Sequence, residues 1–231
     1  MARYGMVINL HKCVGCGACG IACKNENNVD QGMFWAHHIK QTTGVFPNVT
    51  YEYVPTLCNH CDHAACVRAC PTKAMYKDNQ GLTLHNPNKC IGCKSCMQAC
   101  PYEVINYNSK EPHGHWRDKT SVIAQCTTNG AETAEKVGEK IPYYNPDRAA
   151  TYDGIRPKGI VEKCTLCDHR LAKGEIPYCA ASCPADARTV GDFDDPTSEV
   201  SQLIGKYGYK QLKPNAGTQP KVFYIRNFHH S

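Results

Sequence analysis

Cysteine is the residue type in this sequence whose number and spacing point most directly to chemistry. Sixteen of the 17 cysteines stand in four short groups, each of which begins with C-x-x-C and ends with C-x-x-x-C. In chain order, groups one to four are Cys13, Cys16, Cys19 and Cys23; Cys58, Cys61, Cys66 and Cys70; Cys90, Cys93, Cys96 and Cys100; and Cys164, Cys167, Cys179 and Cys183. Thiols crowded in this way suit the ligation of a metal or a metal cluster.

Two of the groups follow a spacing that is typical of iron–sulfur ligation. Groups one and three read C-x2-C-x2-C-x3-C, as in bacterial two-cluster ferredoxins, and Pro101 follows the third. In such runs three cysteines bind one cubane and the fourth binds its neighbour. Gly15, Gly17 and Gly92 permit backbone conformations that residues with a Cβ resist. The pattern predicts four [4Fe–4S] clusters.

Other uses of clustered cysteines fit less well. Zinc needs only four ligands, usually from two separate C-x-x-C knuckles. A structural disulfide gains most by closing a long loop. A c-type haem requires C-x-x-C-H, but the residues after the four pairs are Gly17, Asp62, Lys94 and Asp168. A converted [3Fe–4S] site remains possible, although every group has four cysteines.

The segment between groups two and three favours an exchange of ligands between them. Residues 71–89 contain the turn signal "DNQG" and the candidate strand "LTLH", which predict a short hairpin. Cluster two would then take Cys58, Cys61, Cys66 and Cys100, and cluster three would take Cys90, Cys93, Cys96 and Cys70. Groups one and four remain to be paired. Sequential pairing, of one with two and three with four, is also compatible with the spacing.

Composition limits the classes of function. The 231 residues carry a formal charge of +5 with thiols counted as neutral, and the basic residues are dispersed. A [4Fe–4S] core with four thiolates adds about −2, so the sign of the total depends on the cofactors. We therefore expect no nucleic-acid partner. No run approaches the roughly 20 apolar residues of a membrane span, and the first cysteine at position 13 leaves no room for a secretory signal.

Several side chains outside the ligand sets could act beside the clusters. We expect His60 and His63 to hydrogen-bond or pack near cluster two, and His37 and His38 to be structural or interfacial. Cys126 is expected to be a bystander thiol. Six cations close to ligands either offset cluster charge or form ordinary solvated surface: Lys12, Lys24, Lys89, Lys94, Lys163 and Arg170.

The elements that must position these groups are short. Strands are predicted in "VTYEYV", "YEVINYN" and "KVFYIRNF", the last joining a sheet of the first half of the chain. Residues 24–57 and 101–163 are long insertions of the kind that are usually functional or interfacial. We expect both to dock on a partner. Four aromatic residues are candidate anchors there, with core packing as the alternative: Trp35, Trp116, Tyr143 and Tyr144.

The order of the four groups, together with "KCTLCDHRLAKGEIPYCAASCPADA", resembles the iron–sulfur subunit of the dimethyl sulfoxide reductase family over residues 6–110 and 155–195. The resemblance implies an α+β fold with two ferredoxin-like, two-cluster halves and loop-rich insertions. Residues 1–57 and 151–231 would hold clusters one and four, residues 58–110 clusters two and three, and the insertion 111–150 would dock on the partner.

The same resemblance implies nested pairing of the groups. Cluster one would take Cys13, Cys16, Cys19 and Cys183, and cluster four would take Cys164, Cys167, Cys179 and Cys23. The partner would be a larger catalytic subunit that holds a molybdenum or tungsten bis-pyranopterin. Within the family, "FWAHHI", "PTLCNHCD" and "QLKPNAGT" are most similar to small subunits of respiratory arsenate reductases.

These features predict a non-catalytic electron-transfer subunit that forms a heterodimer. Its electrons would come from a quinol-oxidising membrane protein or a cytochrome. A subunit of a polysulfide, thiosulfate, tetrathionate, selenate or sulfoxide reductase is an alternative, as is a free-standing polyferredoxin. We expect the chain in the periplasm, exported with a signal-bearing partner, or otherwise in the cytoplasm.

Overall fold

The computed structural model describes residues 2–30, 32–111, 127–138, 144–151 and 155–227. Cys126, Trp116 and Tyr143 lie outside these ranges, so the expectations about them stay predictions. The described strands are β1 Tyr4–Asn9, β2 Ala36–Val45, β3 Asn48–Leu57, β4 Met75–Lys77, β5 Thr83–His85, β6 Asn106–Asn108, β7 Ile160–Glu162, β8 Arg188–Asp192 and β9 Val222–Ile225.

The described α-helices are also short. They are α1 Ala18–Glu26, α2 Ala65–Arg68, α3 Ser95–Ala99, α4 Gly130–Val137, α5 Asp168–Leu171, α6 Tyr178–Ala181 and α7 Glu199–Tyr207. Short 3-10 turns occupy Pro87–Lys89 and Pro214–Ala216. Helices and strands alternate with long loops, so the chain has an α+β fold. Within the described ranges, no helix is both long and apolar enough to cross a membrane.

A three-stranded sheet brings the two ends of the chain together. The central strand β1 pairs antiparallel with β8 and parallel with β9. This pairing confirms the prediction that "KVFYIRNF" joins a sheet with the first half. Side chains alternate across the sheet as strand geometry requires: Met6 and Ile8 face the cysteine-rich core, whereas Val7 packs with Val200 beneath α7.

A long hairpin extends from the first half. Strands β2 and β3 pair antiparallel along their full length, from Ala36 opposite Leu57 to Val45 opposite Asn48. The strand predicted in "VTYEYV" lies inside β3. The base of the hairpin is buried, but its tip is not: the side chains of Val45 and Phe46 are 82% and 87% exposed.

The predicted hairpin between groups two and three is present. Strands β4 and β5 pair antiparallel, and the Asp78 carboxylate accepts hydrogen bonds from the backbone N–H groups of Gln80 and Leu82 in the intervening turn. The strand predicted over "YEVINYN" is shorter than expected. Only β6 is extended there, because its partner β7 provides just three residues.

One continuous hydrophobic core contains cysteines from every group and crosses the boundary expected between the two halves. Met6 and Ile8 contribute from the sheet, and Leu82 and Val104 contribute from the middle of the chain. Trp35 is only 6% exposed and belongs to this core. Of the two alternatives for Trp35, core packing is therefore the correct one.

Candidate metal centres

The four C-x-x-C loops share one backbone conformation. In each loop the residue before the second cysteine has a positive φ: Gly15 at 67°, His60 at 44°, Gly92 at 68° and Leu166 at 58°. A left-handed residue at this place turns the chain sharply, so that the two flanking cysteines can face the same side. Groups two and four adopt this turn without glycine, which a sequence pattern could not show.

Groups two and three each surround a cavity that is completed by a cysteine of the other. Cys58, Cys61 and Cys66 line the first cavity together with Cys100. Cys90, Cys93 and Cys96 line the second together with Cys70. Helices α2 and α3 pack against one another, and Cys70 and Cys100 follow their C-terminal ends. Each helix therefore carries its last cysteine across to the neighbouring group.

Groups one and four show the same exchange. Cys13, Cys16 and Cys19 line a third cavity together with Cys183. The amide nitrogen of Asn27, which follows α1, lies 3.6 Å from the Sγ of Cys23 and 3.8 Å from the Sγ of Cys167. The thiol of Cys164 lies within electrostatic range of both Cys23 and Cys179. Cys183 therefore lies beside the first three cysteines of group one, and Cys23 lies close to cysteines of group four.

The chemistry of these sets fits an iron–sulfur cluster. All sixteen cysteines are free thiols. Backbone N–H groups point at the sulfurs: those of Leu166 and Ala187 lie 3.3 Å from the Sγ atoms of Cys164 and Cys183. In the part of the chain that is described, no three or more His, Cys, Asp or Glu side chains are arranged for a single metal ion. Three of the four sulfur sets instead line cavities.

Burial makes several of the interior thiols poor acids until a cationic centre binds. Burial raises the pKa of Cys61 and of Cys96 to about 11, and that of Cys66 to about 12. Because cluster ligation needs thiolates, binding of a cluster must release the thiol protons into solvent. The cluster core would supply the positive charge that stabilises the thiolates in the apolar core.

The two histidines of group two have different environments. His60 is buried, and its Nδ1 accepts a hydrogen bond from the Thr83 N–H at 3.1 Å, which ties the cysteine loop to β5. Burial lowers the pKa of His60 well below its usual value, so the ring is neutral. His63 is exposed. On the hairpin, His38 lines the cavity of group one and His37 does not.

The six cations singled out from the sequence separate clearly by burial. Lys12, Lys89 and Lys94 are exposed, whereas Lys24 and Arg170 are half-buried. Lys163 is 1% exposed, and its ammonium donates to the carbonyl oxygens of Cys164 and Thr83. Lys163 is therefore the one of the six that lies wholly inside the protein.

Sequence reasoning missed several polar residues beside the ligands, among them Asn27 and Arg188. Asn27 lies beside the sulfurs of Cys23 in group one and Cys167 in group four, and Arg188 lines the cavity of group one. Asn27 follows Cys23 by one helical turn, which could have suggested its position. Arg188 stands beside group one only because β8 pairs with β1, and no local signal shows that pairing.

Comparison with known proteins gives matches along most of the chain. The family model described as "4Fe-4S dicluster domain" matches residues 49–117 and 114–193, and "4Fe-4S binding domain" matches residues 10–28. The arsenate respiratory reductase iron–sulfur subunit of Shewanella sp. (strain ANA-3) is 56% identical over 227 residues, which cover 98% of this chain and 97% of that protein.

More distant relatives serve other reductases. A selenate reductase subunit of Mesobacillus selenatarsenatis is 36% identical, over 96% of this chain and 72% of that protein. A polysulfide reductase component of Wolinella succinogenes is 30% identical, over 97% of this chain and 95% of that protein. All three relatives are similar to this chain along almost its whole length.

Proposed function

This chain is a member of the iron–sulfur subunits of the dimethyl sulfoxide reductase family, and we propose that it serves a respiratory arsenate reductase. Like its relatives, it is an electron-transfer subunit and not a catalytic one. We propose four [4Fe–4S] clusters, held by the four nested cysteine sets in two ferredoxin-like halves. The arrangement of the sixteen thiols is the observation that carries this proposal.

When bound, each cluster accepts and releases one electron at a time. The chain's own residues fix where these sites lie relative to one another. Exchange of Cys70 and Cys100 holds sites two and three together, and exchange of Cys23 and Cys183 holds sites one and four together. The thiol of Cys164 is also within electrostatic range of Cys58, which joins the two pairs. The resulting order of sites is one, four, two, three.

The two ends of this order reach the surface. Cys16 of site one and Cys93 of site three are exposed, whereas Cys164, Cys167 and Cys179 of site four are buried. Electrons would therefore enter and leave at sites one and three, and the interior sites would be protected from water. Exposure at both ends and burial between them is what a relay between two protein partners requires.

We assign the catalytic subunit to the site-one end. Tyr53 on β3 donates from its hydroxyl to the Cys13 carbonyl at 2.8 Å, so the hairpin is anchored beside this site. The apolar tip residue Phe46 is strongly exposed, and so are Val14 and Ile21, which stand between the cysteines of group one. Aromatic and apolar side chains of this kind are enriched in the buried centres of interfaces. The donor, a quinol-linked membrane protein or a cytochrome, would then dock at site three.

The catalytic partner would carry the molybdenum or tungsten bis-pyranopterin and all of the substrate chemistry. Arsenate is the proposed substrate because the relative at 56% identity belongs to an arsenate reductase. Selenate and polysulfide are the substrates of more distant relatives and remain the alternatives. We place the complex in the periplasm, where a signal on the larger partner would direct both proteins.

Purification of the native complex tests this proposal. We expect a large molybdenum- or tungsten-containing chain to co-purify and to reduce arsenate. The small chain should contain about 16 iron and about 16 acid-labile sulfide atoms, four of each per cluster. A monomer that diffuses between soluble enzymes would contradict the subunit assignment. Iron near half of that content would contradict the four-cluster assignment.

A further inference from the structure

Arg188 lies between two of the proposed cluster sites. It begins β8, directly opposite Ile8 of β1, and its side chain is 6% exposed. Its guanidinium Nη1 lies 3.8 Å from the Sγ of Cys179 and 3.7 Å from the Sδ of Met6. The same side chain lines the cavity of Cys13, Cys16, Cys19 and Cys183. It therefore contacts a ligand of site four while bordering site one.

The surroundings of Arg188 differ from those of the other buried cations. Arg156 pairs with the Glu162 carboxylate, and Lys221 pairs with Asp62 at 3.4 Å. Lys163 donates to backbone carbonyl oxygens. Among the described residues, no carboxylate forms an ion pair with Arg188, and its buried Nη2 has no hydrogen-bond partner.

A guanidinium in such a place needs a counter-charge. Arginine keeps its proton in proteins, and an uncompensated buried charge is strongly unfavourable. Tyr224 is close, but burial raises the pKa of its hydroxyl, which stays neutral. His38 also faces the Arg188 charge but cannot supply a negative one. The groups that can become anionic are thiols: the charge of Arg188 acts on Cys13 of site one and on Cys23 and Cys179 of site four. The sulfurs of both sites thus face the same cation.

We propose that Arg188 is the shared counter-charge of clusters one and four, and that its guanidinium raises the reduction potentials of both. The inference rests on the proposed four-cluster function. Reduction adds one electron to a centre that already carries about −2 with its thiolates. A fixed cation in a medium of low dielectric stabilises the reduced form more than the oxidised form. Arg188 would act through the cluster sulfurs, as a residue that tunes the two sites.

A redox titration of the loaded full-length chain, followed by electron paramagnetic resonance, tests this role. In Arg188→Gln we expect two of the four one-electron transitions to move to lower potential. The expected shift is at least tenfold in the reduction equilibrium constant, which is 59 mV for one electron. For the other two transitions, the reduction equilibrium constant should change less than threefold. Arg188→Lys keeps the charge. Its reduction equilibrium constants for all four transitions should therefore stay within threefold of those of the unsubstituted chain.

Lys206→Gln is the matched control, because it removes one positive charge from an exposed position on α7. It should leave all four potentials unchanged. If Arg188→Gln does not take up iron, Met6→Glu decides the question. It keeps the arginine but places a carboxylate against the guanidinium, and it should lower the same two potentials. Failure of Arg188→Gln to load iron, with normal loading of Arg188→Lys, would support the need for a positive charge at this position.

The results also separate this inference from the proposed function. Unchanged potentials in an iron-loaded Arg188→Gln or Met6→Glu chain would overturn the role of Arg188 and leave the four clusters intact. Potentials in Arg188→Lys that shift as far as those in Arg188→Gln would overturn it as well, because charge would not be the cause. Fewer than four transitions in the unsubstituted chain would instead contradict the proposed function.

Discussion

The residue before the second cysteine of each group is constrained by backbone geometry more than by its side chain. The backbone constraint is strongest at Gly92. Its φ is 68°, and an added Cβ would stand 2.1 Å from the Gly159 carbonyl oxygen. His60 and Leu166 hold the same turn with a side chain, which is unfavourable by roughly 1–2 kcal/mol for a residue other than glycine.

Gly92→Ala should therefore weaken site three. We expect a loss of at least ~1–2 kcal/mol from the left-handed backbone alone, and more from the clash with Gly159. The measurement is the temperature at which the visible absorbance of the loaded chain is lost, together with its iron content. Gly205→Ala is the control, because Gly205 lies in a helix with open space around it. That change should stabilise the chain slightly. If the two variants lost their absorbance at the same temperature and contained the same amount of iron, the left-handed turn assigned to Gly92 would be contradicted.

Lys163 links two parts of the cysteine scaffold from inside the core. Its ammonium donates to the carbonyl oxygens of Cys164, in the loop of group four, and of Thr83 on β5. Lys163→Met would leave both buried acceptors without this donor, a loss of about 1–3 kcal/mol. We expect a lower temperature of cluster loss in the same assay. Lys158→Met, at an exposed lysine paired with exposed Glu111, should change stability by no more than about 0.5 kcal/mol. Equal midpoints for the two variants would rule out the structural role of Lys163.

How far single residues could be predicted depends on what defines them. The four cysteine groups are defined by local spacing, so the sequence alone indicated them, but spacing did not decide how the groups pair. Lys163 could not be separated from five other cations near ligands, because burial depends on which loops pack over it. Arg188 was missed, because only the pairing of β8 with β1 brings it beside site one.

Among the larger elements, the hairpin of β2 and β3 has a base and a tip with different roles. The base holds His38 and Tyr53 beside site one. The tip exposes Val45 and Phe46 without cover from the described chain. Residues 24–57 were predicted to dock on a partner. We propose that, within this segment, the tip of the hairpin makes the contact.

The double variant Val45→Ser with Phe46→Ser should weaken the heterodimer without affecting cluster loading. An apolar side chain buried at an interface contributes about 1.5–3 kcal/mol, so we expect the dissociation constant to rise at least about tenfold. Iron content should be unchanged, because the tip contacts none of the cysteine sets. Ile176→Ser, at another exposed apolar residue, is the control. An unchanged dissociation constant in the double variant would exclude the tip from the interface.

Local sequence pattern predicted some of the strands correctly but not the length of others. The hairpin of β4 and β5 was predictable, because its turn residues and its strands are adjacent in sequence. The length of β6 was not, because its partner β7 comes from the far side of the long insertion. Pairing over such a separation depends on tertiary packing, which local propensity does not contain.

At the scale of the whole molecule, sheet pairing and ligand exchange support the same arrangement. Strand β1 precedes group one, β8 follows group four, and the two pair directly. The sheet therefore holds groups one and four together around the middle of the chain. Spacing alone left sequential pairing open, because closing long loops has an entropic cost that rises only slowly with length. Both the structure and the family resemblance favour the nested alternative, and the ligand assignment remains a prediction.

Substitution of Cys100 by serine tests that assignment most directly. Cys100 follows Cys96 in group three, but its side chain lines the cavity of Cys58, Cys61 and Cys66. We therefore predict that Cys100→Ser alters the same paramagnetic signal as Cys61→Ser and leaves intact the signal that Cys93→Ser alters. Cys70→Ser should show the reverse pattern. If Cys100→Ser instead alters the signal that depends on Cys93 and spares the one that depends on Cys61, the nested exchange of ligands is wrong.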